Sequence, residues 1–188
     1  MIRQLRRRGV VFAVATATLA VAATPSDAHA TYSWCTGAGG TRQVSHVVPL
    51  PGRQVPTYVN GIVDSGMRTQ ARSARDVWDV MTSPVFPYVS DFWTSRLSMF
   101  DGYFGATGWA GLATPNSCPS GSTFLQFNMS YMASRSWDQR RGVACHEIGH
   151  AIGLAHAGGS CMAAPPEAMN ASWTEWSEVS NLYTAFYR

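Results

Sequence analysis

The side chains most able to do chemistry are His146, Glu147, His150 and His156, which with Gly153 spell H-E-x-x-H-x-x-G-x-x-H over residues 146–156. On a helix, residues four apart differ by about 40° around the axis and about 6 Å along it, so His146 and His150 can aim two imidazoles at one ion. Gly153 can end such a helix in a left-handed turn at little steric cost, which would return His156 toward the same point. Three neutral nitrogens at about 2.0–2.1 Å leave a fourth tetrahedral position for water, the arrangement of a catalytic zinc rather than a structural one.

Glu147 follows one expected ligand and precedes the other by three, so its carboxylate can stand beside an ion without binding it. That is the place of a general base: zinc lowers the pKa of its water toward about 7, and a nearby carboxylate takes the proton as the water attacks a polarised carbonyl. Chance is a poor source for the pattern, whose random expectation in this composition is on the order of 10⁻⁵. Histidines merely satisfied in a core are the bland alternative. His46, in a Pro-rich arm, reads as an ordinary loop residue.

The elements that must position these residues are legible in outline. A helix is expected over 136–153, carrying the first two histidines. Before it, residues 123–131 alternate in the manner of a half-buried strand, with Leu125, Phe127, Met129 and Tyr131 on one face and Gln126, Asn128 and Ser130 on the other. Met67, Ala71, Ala74, Trp78 and Met81 recur at helical spacing after a start at Asp64-Ser65, and the helix should stop before Pro84; its stripe reads as core. Short strands are expected at 43–48 and 55–63, and aromatic, Gly-punctuated strands and loops between residues 86 and 119. A last helix should begin at Ser172, where Ser172 and Glu175 have capping-box spacing, and run through Val179, Leu182 and Phe186.

Composition bounds the rest. The chain has 188 residues, 46% hydrophobic, 12% aromatic and 13% charged, which fits one compact domain and excludes a disordered tail protein. Its charge of +3 includes Arg3, Arg6, Arg7 and Arg8. These precede an apolar run at 10–23 and the A-x-A-like Ala28-His29-Ala30, the layout of a signal peptide over residues 1–30. The run is too short for a membrane span of about 20 residues. Residues 31–188 would form the mature chain, with 14 − 4 = 10 basic and 11 − 1 = 10 acidic residues, a balance that gives no case for nucleic acid or a membrane surface. Export predicts a secreted, extracellular protein and an oxidising setting, so Cys35, Cys118, Cys145 and Cys161 are expected to form two disulfides in one of three pairings.

The stretch at 140–166 resembles the zinc signature of the metzincin metallopeptidases, and within them the matrixins and small secreted bacterial relatives. The family sets a methionine in a tight turn beneath its metal, and Ser160-Cys161-Met162 looks like that turn, with Met162 as its methionine. The resemblance brings the stretches of Cys145 and Cys161 together, which favours that bridge and leaves Cys35–Cys118 as the second. It implies a mixed α/β fold: a twisted, mostly parallel sheet, an active-site helix, and a small irregular C-terminal part starting at Gly153, with a peptide adding to the sheet along a cleft edge at 123–131. Only five residues separate His156 from Met162, short for a matrixin. The tyrosine ligand of astacins and serralysins is not expected, nor is the matrixin structural zinc, which His46 alone cannot build. A calcium site near Asp101 is the remaining metal expectation. The implied activity is that of a monomeric zinc endopeptidase with His146, His150 and His156 as ligands and Glu147 as catalytic base. Its rivals are a zinc hydrolase of a non-protein amide, such as a cell-wall component, and a non-catalytic binder on a peptidase fold.

Overall fold

Alternation of buried and half-buried residues builds the sheet. In β6 (Thr123–Asn128) Thr123, Leu125 and Phe127 are buried while Phe124 and Gln126 are half-exposed; β3 (Thr57–Gly61) begins with the same pattern, as a strand packed on one face requires. The computed structural model describes residues 34–36, 42–44, 47–81, 84–115, 121–157, 160–163, 179–180 and 183. The expected signal at 1–30 lies outside them, as do Cys118, Ser172, Leu182 and Phe186.

The four-stranded sheet has the order β3-β4-β6-β5, with β4 at Leu97–Gly102 and β5 at Gly111–Pro115. Strands β3, β4 and β6 are parallel, and β5 pairs antiparallel with β6, Gly111 opposite Phe127. The expected mixed α/β fold with a mostly parallel sheet is therefore present. A separate pair, β1 (Trp34–Thr36) and β2 (Arg42–Val44), is antiparallel, so Gln43 and Val44 of the strand expected at 43–48 are in β2, while residues 45 and 46 lie outside the described residues. Helix α1 (Ser65–Met81) matches its expected bounds. Its Met67, Ala71, Ala74 and Trp78 are wholly buried, facing the sheet and α3 (Trp137–Ala151), as an amphipathic helix must. Tyr58, Phe92, Phe100 and Phe124 pack edge-on or stacked as a cluster of rings. At the other end of the described chain, Val179 and Tyr183 are helical and buried, and the Tyr183 hydroxyl donates to the carbonyl of Val47 at 2.8 Å.

Two sequence expectations need correction. The strand expected at 123–131 stops at Asn128, and Met129–Met132 turn into a short helix, α2. Asn128 ends the strand because its Oδ1 accepts from the Ser130 amide at 3.0 Å, a helix cap, and Met129 and Met132, three apart, then both become buried. Nor is β6 the cleft edge: it is an inner strand, and residues 111–115, within the stretch expected to hold strands and loops, pair outside it. Gly111 and Ala113, with little or no side chain, let that strand lie close to α3.

Asn128 is wholly buried, where alternation alone would have faced it outward. Its Nδ2 donates to Gly105 O at 2.9 Å, Thr107 Oγ1 at 2.8 Å and Trp109 O at 3.4 Å, and its Oδ1 also accepts from Phe104 N at 3.1 Å. One amide thus shapes the loop that feeds β5. Asn128→Asp turns that donor into a charged acceptor facing three oxygens. It is expected to lower the unfolding free energy in urea by about 2–3 kcal/mol; an unchanged transition midpoint would contradict this role for the amide.

Candidate metal centre

Helix α3 is started by a reciprocal cap: Gln139 N donates to Ser136 Oγ at 3.3 Å and Ser136 N to Gln139 Oε1 at 3.0 Å. It carries His146, Glu147 and His150, and is buried along residues 142–149. It ends where the spacing places the end. Gly153 has φ 105°, its amide donates to His150 O at 3.1 Å, and the Leu154 amide donates to Gly149 O at 2.9 Å, closing orphan carbonyls through a conformation that favours glycine. The chain then turns back, and the rings of His146, His150 and His156 stand with centroids 4.5, 5.0 and 4.9 Å apart. One nitrogen from each lies within 4.8 Å of the others, a group that could hold a metal ion.

The hydrogen bonds around the rings test that fit. His146 Nδ1 lies 2.7 Å from the carbonyl oxygen of Cys161, and His150 Nδ1 lies 2.8 Å from that of Leu154. A carbonyl only accepts, so each Nδ1 carries the proton and each Nε2 keeps its lone pair. Those two Nε2 atoms are 3.0 Å apart, close to the separation of about 3.3 Å between tetrahedral ligands on zinc. With no proton assigned between them they repel, and a shared cation relieves the repulsion. Burial is the largest cause that pulls His146 down to about 4 and lowers His150, so both rings are neutral near pH 7, the form that binds metal.

Glu147 is held differently. Its residue is 6% exposed, and burial pushes its carboxyl up to about 7, opposed by a hydrogen bond from the Ala113 backbone on β5. Contact with β5 is so close that a Cβ on Gly111 would come within 2.6 Å of Glu147 Oε1 and 2.8 Å of Val143 Cγ1. Gly111 and Ala113 escaped the sequence reading, since two small residues in a Gly-rich stretch look like loop.

Met162 is wholly buried and sits against Gly149, in the turn of α3 between His146 and His150; a methyl at 149 would collide with its sulfur and come within 3.5 Å of Trp78 Cζ2. Trp78, read only as core, also donates from Nε1 to Cys145 O at 3.2 Å. The methionine's own backbone is fixed by Ala157 N to Met162 O at 3.0 Å and Met162 N to Ser160 Oγ at 3.0 Å. Cys145 and Cys161 form the favoured disulfide, with Cα atoms 5.9 Å apart; the Cys35–Cys118 pairing lies outside the described residues. At the position expected for calcium, Asp101 accepts from Val63 N at 2.7 Å and Asp64 N at 2.9 Å, so both its carboxylate oxygens anchor the start of α1.

Two outcomes follow from this geometry. Gly149→Ala gains helix propensity of about 1 kcal/mol yet is expected to lose net stability by about 1–3 kcal/mol through overpacking against Met162, read by denaturant unfolding; a stabilised variant would contradict the packing. The Glu147 carboxyl, about 7 folded against an ordinary 4.5, binds more protons folded than unfolded. Its contribution to stability is therefore full below pH 4.5 and lost as pH rises toward 7. His146, near 4 against 6.5, acts oppositely: its contribution is full above 6.5 and lost as pH falls toward 4. In metal-free protein, Glu147→Gln removes only the first dependence, so thermal unfolding should show the variant more stable than the parent at pH 8 and nearly level at pH 4. Parallel profiles would contradict the burial of an ionisable carboxyl.

No protein-family model matches the chain, and no curated protein does. Two solved structures of myroilysin resemble it: one at 20% identity over 60% of this chain and 54% of that chain, with a TM-score of 0.44; the other at 18% identity over 63% and 53%, with a TM-score of 0.41. The chain spans about half the length of the solved chains it matches.

Proposed function

We propose that this chain is a secreted zinc endopeptidase, with residues 1–30 removed on export and residues 31–188 forming one monomeric catalytic domain. The observation that carries the reading is the three-histidine group with two Nε2 lone pairs facing each other, together with a buried carboxylate, Glu147, directly after His146 in the chain. The Cys145–Cys161 bridge supports an oxidising location, and no helix among the described residues is long and apolar enough to cross a membrane.

His146, His150 and His156 would hold zinc, which when bound would supply Lewis acidity toward the scissile carbonyl and the attacking water. Glu147 takes the proton from that water and passes it to the departing amine. A carboxyl whose proton affinity is raised by burial is suited to both halves of that transfer near neutral pH. The Ala113 amide keeps Glu147 aimed and, being on the strand, ties the base to the sheet edge. That edge, β5, ends the described sheet and offers main-chain groups to an extended peptide, which replaces 123–131 as the expected docking strand. Nucleic acid has no part in the reading, nor does a membrane after export.

Glu147→Ala should retain one zinc per chain while peptide hydrolysis falls by about 10²- to 10⁴-fold; activity near that of the parent would remove Glu147 as the base. His156→Ala should weaken zinc binding sharply in a chelator competition, and unchanged metal content would mean a different third ligand. Casein hydrolysed while purified cell-wall material is left intact is the expected substrate result; the reverse would favour the non-protein amide reading.

A further inference from the structure

We infer that the Cys145–Cys161 disulfide is a positioning element of the metal site, so that the chain binds its metal tightly only once this bridge has formed. The inference rests on the proposed metal binding and adds its regulation by thiol chemistry.

The covalent path is short. Cys145 directly precedes His146 in α3, its sulfur is bonded to Cys161, and the Cys161 carbonyl accepts the Nδ1 proton of His146 at 2.7 Å. Bridge and hydrogen bond together make a closed ring whose only output is the orientation and tautomer of one ligand. The partner of a ligating histidine's second nitrogen sets which nitrogen faces the metal. Here that partner is a backbone carbonyl whose place is set by a covalent bond to the ligand's own neighbour. The next residue, Met162, extends the same contact to Gly149. The segment is thus fastened to α3 at three successive places: a covalent bond at Cys145, a hydrogen bond at His146 and packing at Gly149.

Both cysteines are wholly buried. Reduction by a dithiol transfers two electrons and two protons: the S–S bond breaks, each sulfur becomes a thiol, and the dithiol closes its own disulfide. Two thiols at van der Waals distance need more room than a bonded pair, and both residues are enclosed on every side. The carbonyl of Cys161 then draws away from His146, and the ring loses the acceptor that holds its proton on Nδ1. A chain whose thiols are still reduced would consequently hold its metal poorly, and oxidation would complete the site. Loss of such a hydrogen-bond partner weakens metal binding by about 10- to 100-fold.

Thermodynamic reciprocity supplies a test on the unmodified chain: if the bridge tightens metal binding, metal must stabilise the bridge by the same factor. The wild-type protein is equilibrated in oxidised and reduced dithiol mixtures, with free zinc either buffered or chelated away, and the state of Cys145 and Cys161 is read by thiol alkylation and peptide mass. The expected result is a 10- to 100-fold shift toward the bridged form with zinc, about 30–60 mV for this two-electron couple, and no such shift in His146→Ala. Equal midpoints, or a shift toward the thiols, would overturn the inference. A second measurement is zinc affinity of the folded Cys145→Ala/Cys161→Ala variant by competition with a chromophoric chelator: 10- to 100-fold weaker binding supports it, and parental affinity overturns it. Failure of the oxidised wild-type chain to bind zinc at all is a separate result that would sink the metal reading, and this inference with it.

Discussion

The arrangement depends on two carbonyl oxygens that decide where two imidazole protons sit. The oxygens of Cys161 and Leu154 accept from Nδ1 of His146 and His150, and a carbonyl cannot do otherwise, so the lone pairs are driven to the inner nitrogens. Left alone, two such lone pairs 3.0 Å apart repel each other, at a site where His146 is buried, His150 half-buried and His156 exposed. A cation shared between them would turn that repulsion into attraction. Much of the surrounding architecture keeps those two oxygens in place: the glycine turn at 153 places one, and the turn carrying Met162 places the other.

The same helix meets three surfaces, and each meeting depends on a small residue or a polar anchor. Toward the C-terminal turn, Gly149 makes room for Met162. Toward α1, Trp78 caps its packing with a hydrogen bond to Cys145 O. Toward the sheet, Gly111 lets the edge strand approach Glu147, and Ala113 donates to the carboxylate. Further out, Asn128 shapes the loop before that strand, and Asp101 fastens the start of α1 with two amide bonds. The histidine group on the helix is thus braced from three sides by contacts distant in sequence.

How far this was legible from sequence follows from the range of each interaction. Helical spacing located α1, and His146 and His150 on α3, because both signals lie within a few turns of chain. Gly153 could be read as a turn because positive φ is nearly a glycine property. The pairing of Cys145 with Cys161 was favoured through the family likeness alone. What escaped is set by contacts distant in sequence. Residues 111–115 are too small to announce a strand, and their place at the edge appears only once β6 is paired on its other side by β4. Asn128 looked like an outward strand residue because alternation carries no knowledge of the loop that folds over it. Asp101 read only as an isolated carboxylate in a Gly-rich turn, because the two backbone amides it anchors lie nearly forty residues earlier.

The most direct test of the account is zinc K-edge absorption of the loaded, oxidised chain. The account predicts three imidazole nitrogens and one oxygen at about 2.0–2.1 Å, with the imidazole signal reduced when position 146, 150 or 156 is changed. Sulfur scatterers at about 2.3 Å, or a spectrum indifferent to those three histidines, would contradict it.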